Sequence, residues 1–251
     1  MKYYILPLFA ALFVSTATLA KGPAADTAAK KTLPPIQKFF IANSFDGAIF
    51  SSATIQNTNP TTNVVTNKYG TLRFSYFINY GLTFNWNAGR HFGVYAGADI
   101  KNIGFIEKLT YNGNTAKRRV YTFGIPVGIK IGNMAKKGRY LFLGGGADVP
   151  FNYKEKQFVI RGQKTKFNEW FSDRTPMVMP YVFAGASIHK GITLKAQYYP
   201  NNFLNPDFTS NLGKIYAGYD VHLLLLSVGV VTGYTKSHDM VKKHVAELNT
   251  M

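Results

Sequence analysis

The stretch Leu72–Trp86, LRFSYFINYGLTFNW, decides how this chain folds. Leu72, Phe74, Tyr76, Ile78, Tyr80, Leu82, Phe84 and Trp86 alternate with Arg73, Ser75, Phe77, Asn79, Gly81, Thr83 and Asn85. Successive side chains of a strand point to opposite faces, so this stretch has one greasy, aromatic face and one that is mostly small or polar.

The same period of two recurs on both sides of it. Eight segments carry it: Phe39–Phe50, Tyr69–Trp86, Phe92–Phe105, Arg119–Ile131, Arg139–Asn152, Met177–His189, Ile192–Tyr199 and Ile215–Gly229. In the third, Phe92, Val94, Ala96, Ala98 and Ile100 oppose Gly93, Tyr95, Gly97, Asp99 and Lys101; in the fourth, Tyr121, Phe123, Ile125, Val127 and Ile129 oppose Thr122, Gly124, Pro126, Gly128 and Lys130. A soluble sandwich alternates too, so the content of the polar face matters. Asp46, Arg73, Asp99, Lys101, Lys130, Asp148, Lys195, Asp220 and His222 are expected there together, among many glycines. Charges of both signs pair or hold water in a lumen, and glycine makes room for them in a narrow barrel. The opposite face suits lipid tails and the interfacial aromatic girdles.

The expected connections alternate long and short: Ser51–Lys68, Asn87–His91, Ile106–Arg118, Gly132–Gly138, Tyr153–Pro176, Lys190–Gly191 and Pro200–Lys214. Outer-membrane barrels are built that way, with short periplasmic turns, long outer loops and both termini periplasmic. Beyond the N-terminus no run reaches the roughly 18–20 apolar residues of a spanning helix, so the chain meets a bilayer as strands if at all. A closed barrel pairs every backbone group and leaves no edge. The expected fold is therefore all-β, an antiparallel eight-stranded transmembrane β-barrel of up-and-down topology over residues 39–234.

The flanks fit export. Lys2, the apolar run Tyr3–Val14 and the small residues Ser15–Ala20 read as a secretory signal peptide over residues 1–20. Residues 21–38, KGPAADTAAKKTLPPIQK, read as a flexible periplasmic leader, and residues 235–251 as a periplasmic tail. Removing the signal takes away only Lys2 and leaves 28 basic against 12 acidic side chains. Such an excess attracts polyanions. For an exported chain the expected partners are outer-membrane lipids, including lipopolysaccharide phosphates, and proteins of an envelope complex, with no nucleic acid. Cysteine is absent, which excludes disulfides and thiolate chemistry.

Three segments resemble the porin-family outer-membrane β-barrel proteins of the Bacteroidota type: YTFGIPVGIKIG (Tyr121–Gly132), GRYLFLGGGADVPF (Gly138–Phe151) and LKAQYYPNNFLN (Leu194–Asn205). The resemblance covers roughly Phe39–Tyr234 and implies the same barrel in a Gram-negative outer membrane. The family's name does not imply a pore. Unlike many such barrels, this chain does not finish on a terminal aromatic residue.

Catalysis has little to work with. Of five histidines, His91 and His189 fall at expected turns and His238 and His244 in the tail; His222 is expected in the lumen near Asp220 and Lys195, a set read as a structural network. Ser187 and His189 share a face but have no evident carboxylate to orient the imidazole. No catalytic residues, metal site or cofactor are expected. The 153–176 connection carries Lys154, Lys156, Arg161, Lys164, Lys166, Trp170 and Arg174, read as a possible contact surface for lipopolysaccharide phosphates or a protein, or else as a solvated loop. The expected function is a non-enzymatic anchor or accessory subunit of an envelope assembly. A narrow channel for ions or small solutes is the alternative, followed by a soluble lipocalin-like binder or a lipid A-modifying enzyme.

Overall fold

The computed structural model describes residues 36–236, apart from 60–61, 76–78, 110–113, 136–137, 159–163, 190 and 212. The expected signal peptide, nearly all of the leader, the tail beyond Lys236, Ile78 and Arg161 therefore lie outside the described residues. The described strands are β1 (Phe39–Thr58), β2 (Val65–Tyr69), β3 (Arg73–Ser75), β4 (Asn79–Asn87), β5 (Phe92–Lys108), β6 (Thr115–Gly132), β7 (Tyr140–Phe158), β8 (Lys164–Trp170), β9 (Met179–His189), β10 (Ile192–Tyr199) and β11 (Tyr219–Lys236).

Eight of them close a ring in the order β1–β4–β5–β6–β7–β9–β10–β11, and β11 returns to β1 from Phe40↔Lys236 to Asn57↔Tyr219. Every pairing is antiparallel. This is an eight-stranded up-and-down barrel. The remaining strands extend its wall: β2 and β3 pair with the upper part of β1, and β8 pairs with the stretch of β7 that runs past β9.

The connections differ from expectation. Residues 51–58 and 65–68, taken from sequence as loop, are strand; the expected 106–118 loop shrinks to 109–114, and β8 lies inside the expected 153–176 loop. The strict long–short alternation of connections is lost, since the 133–139 link is longer than 59–64 or 109–114. Polarity misled the reading there. Charged residues fit a paired strand wherever one or both faces meet water.

The β4–β5, β6–β7 and β9–β10 connections mark one end of the barrel, called the turn end below, where β1 starts and β11 finishes. At the opposite, hairpin end β6, β7 and β8 run on together. Around the middle, the outer wall is greasy: Phe84, Phe123, Ile125, Leu141, Leu143, Leu194, Leu224 and Val228 are all exposed. Phe74, Leu82 and Val94 share this outward parity, while Asp99, Lys130 and Lys195 face the axis.

Candidate functional site

The lumen has two layers. Toward the turn end it is polar. Lys195 Nζ lies 2.7 Å from Asp46, which also accepts a hydrogen bond from the Ser227 hydroxyl. Lys101 Nζ is 2.8 Å from Asp148 and 3.4 Å from Asp99, and 3.8 Å from the centre of the Tyr181 ring. Tyr199 donates to the second oxygen of Asp148 at 2.5 Å. Lys130 donates to Asn85 Oδ1 at 2.9 Å and sits 5.0 Å above Phe40. Glycine creates the room these groups fill: a Cβ at Gly124 would collide with Asp99 and Asp148, and one at Gly229 with Asp46. Asp46, Asn85, Asp99, Lys130 and Lys195 line a cavity of about 90 Å³, space for several waters.

Arg73, at the level above this layer, is fully buried and donates to the Asn102 side-chain oxygen. Beyond it the lumen is dry. Ile49, Ile55, Ile103, Phe105, Val221 and Leu223 have at most 2% of their surface exposed. Phe203 and Leu204, from the connection between β10 and β11, are fully buried against this layer, with Phe203 edge-on to Phe105 at 5.4 Å. One ionic cluster lies within it: Arg118 bonds Glu107 and lies 3.5 Å from Glu155, which accepts a 2.7 Å bond from Tyr153. Burial opposes the charge on Arg118, but Glu155, Tyr153 and Glu107 outweigh it and raise its pKa. Burial likewise opposes the charge on Glu155, and Arg118 with hydrogen bonds from Gln157 and Tyr153 draws its pKa below the usual glutamate value.

Two residues expected in the lumen are not there. Asp220 and His222 alternate with the buried Val221 and Leu223, and so share the outer face with Leu224 and Leu226. They pair with each other at 3.1 Å, His222 stacks on Tyr198, and Lys195 belongs to Asp46 instead. Both faces of β11 are apolar, so its alternation carried little contrast from which to choose the inner one.

The basic segment is a β-hairpin rather than a loop. Its outer wall reads in cross-strand rows: Lys117–Lys156–Lys166, then Arg119–Lys154–Asn168. A bulge at Tyr121/Thr122 shifts the next row. Tyr121, Phe151 and Trp170 there form a chain of rings 6.3 and 6.0 Å apart. Burial, followed by the Arg73, Arg119 and Lys156 cations, lowers the pKa of Lys117. Arg174, expected on this surface, is elsewhere: it packs between Phe167 and Phe208, 4.4 and 4.5 Å from their centres, and donates to the Tyr216 hydroxyl. Sequence position alone puts Lys117 and Arg119 at the same positive rim as the hairpin, and register aligns them with it in rows, whereas Arg118 turns inward to Glu107.

Among the described residues no three His, Asp or Glu side chains are grouped to hold a metal. Ser187 is buried, and His91 is at the 88–91 turn.

No protein-family model matches the chain, and no curated protein does. Among solved structures it is similar to Ail, the attachment invasion locus protein of Yersinia pestis, crystallised in complex with the heparin analogue sucrose octasulfate, at 15% identity over 77% of this chain and 99% of that one, with a TM-score of 0.31. Neisserial surface protein A matches at 9% identity over 76% and 97% of the two chains, with a TM-score of 0.37. The N-terminal β-barrel domain of Pseudomonas aeruginosa OprF matches at 8% over 75% and 99%, with a TM-score of 0.23. At such values the fold rests on this chain's own strand pairing.

Proposed function

We propose that this protein spans the outer membrane, with both termini in the periplasm, as a non-enzymatic anchor or accessory subunit of an envelope assembly and not as a conduit. A closed ring with a greasy outer belt supports the membrane reading, since lipid demands that every backbone donor and acceptor be paired. On β6 the belt reaches from Tyr121 to Ile131, 11 residues, the length of a tilted spanning strand. Aromatic residues mark its two rims: Phe39 stacked on Trp86 at the turn end, and Tyr121, Phe151 and Trp170 at the hairpin end. Both ends of the ring's chain lie at the turn end, the periplasmic side in barrels of this kind.

The observation that carries the anchoring role is the apolar layer across the lumen, where Phe105, Phe203, Leu204 and Leu223 leave no surface exposed. A barrel of eight strands is just wide enough for its own side chains, and here they fill it. The test is planar-bilayer conductance of refolded protein whose folding is checked by heat-modifiable gel mobility. The expected result is a current equal to that of the bare bilayer; stable unitary steps would overturn the reading. Co-purification in mild detergent then identifies the partner.

A further inference from the structure

Beyond the aromatic row, the part of the wall built by β6, β7 and β8 segregates charge by sign. Its carboxylates, Glu155 and Glu169, lie on the inner face with Tyr153 and Phe167, where Arg118 and Arg174 meet them. Its other cations, Lys117, Arg119, Lys154, Lys156, Lys164 and Lys166, lie on the outer face, and none of them is in an ion pair among the described residues. Like charges directly opposite on neighbouring strands repel. Yet Lys117, Lys156 and Lys166 form one continuous row with backbones ~5 Å apart, and Arg119 and Lys154 form the next row ~7 Å away. The sheet gains nothing from this arrangement. An anion bridging the rows offsets the repulsion and takes charge-assisted hydrogen bonds from both.

What lies beside the rows says which kind of anion. Immediately toward the turn end comes the aromatic row of Tyr121, Phe151 and Trp170, with Lys154 Nζ 4.9 Å from the Tyr121 ring. Below that the same wall is bare hydrocarbon, with Phe123 paired to Val149 and then Ile125 and Val127, all exposed. A free phosphate would use only the basic rows. A polysaccharide would leave the greasy wall uncovered.

We propose that this wall docks a phosphorylated lipid of the surrounding leaflet, its phosphates on the two basic rows and its acyl chains against Phe123, Ile125, Val127 and Val149. The docking rests on the membrane reading above, and the test separates the two. The full chain carrying Trp86→Phe, so that Trp170 is the sole tryptophan, is refolded into phosphatidylcholine nanodiscs. A heat-induced gel shift there reports the barrel; its absence overturns both readings. Diphosphorylated lipid A is then titrated into the nanodiscs while Trp170 emission and native mass are followed.

Saturable one-to-one retention is expected, with binding about tenfold or more weaker after Lys156→Gln/Lys166→Gln, two partly or fully exposed positions whose loss leaves the barrel intact. Lys117→Gln/Arg119→Gln/Lys154→Gln should weaken it further, and the gel shift verifies that each variant still folds. Equal retention of dephosphorylated lipid A, or unchanged binding by both variants, overturns the docking. Full competition by inorganic phosphate overturns it in favour of a simple anion site. Equally tight binding of a heparin oligosaccharide in lipid-free detergent overturns it in favour of a polysaccharide surface.

Discussion

The two halves of the lumen are built from the same alternating strands and solve the burial of charge in opposite ways. In the turn half, Lys195 and Asp46 border a cavity large enough for water, and glycines at 124 and 229 leave space beside the carboxylates. In the hairpin half, Arg118, Glu107 and Glu155 are sealed among Phe105, Tyr153 and Tyr216, and each charge is answered by protein alone. Water that can reach an orphaned group blunts its cost; a dry interior does not. A barrel can thus keep charges inside in either setting, but only the wet one tolerates the loss of a partner.

Deleting one cation from each half tests this most severely. Arg118→Leu strips the buried Glu155 of its guanidinium and leaves Glu107 with only the more distant Lys68, 3.7 Å away, and should destabilise the folded protein by roughly 3–5 kcal/mol. Lys195→Leu leaves Asp46 with Ser227 and an adjoining cavity and should cost about 1–2 kcal/mol. Denaturant midpoints in detergent give both numbers. Equal losses would erase the distinction between the halves.

Acid offers a smaller perturbation, and Glu155 isolates the part of it that belongs to the dry half. The pKa of Glu155 is drawn below its ordinary value of 4.5 in the folded state, so its ionisation contributes stability that is fully present above that value. This contribution is lost as pH falls through the lower, folded value. Glu155→Gln has no such proton to take up, so its stability curve should be flatter than that of the parent below about pH 4.5. Parallel acid limbs for the two proteins would show that Glu155 is not what couples this half to pH.

The comparison also explains what the sequence could disclose. Leu82, Phe84 and Trp86 on β4 and Phe123, Ile125 and Val127 on β6 alternate with glycine, proline or polar residues, so the outer face was legible by contrast alone. The same contrast located Asp46, Asp99, Lys101, Lys130, Asp148 and Lys195 on the inner wall of the ring. It failed where contrast vanished. In LLLLSVGVV of β11 both faces are apolar, so the parity that carries Asp220 and His222 outward was invisible, and with it the dry layer made by Val221, Leu223 and Leu225. It failed again in the wall beyond the belt. There the charged outer residues of β7 and β8 read as a loop, while the rows they form depend on register across three strands and on a bulge that no single segment announces.

Lys130 is where the smallest effect is expected, and it probes the wet half most finely. Its ammonium lies on the cavity wall and donates to Asn85, with the Phe40 and Tyr140 rings 5.0 and 5.7 Å away. No carboxylate is paired with it among the described residues. Its removal therefore strands no opposite charge, and the Asn85 oxygen it leaves faces a cavity large enough to admit water. Lys130→Met keeps most of the aliphatic stem against both rings while deleting the desolvated charge, so stability should change by less than about 1 kcal/mol in either direction. A loss approaching that of Arg118→Leu in the same denaturant titration would mean that the turn half is as dry and as tightly coupled as the hairpin half, and that the cavity does not soften the burial of charge.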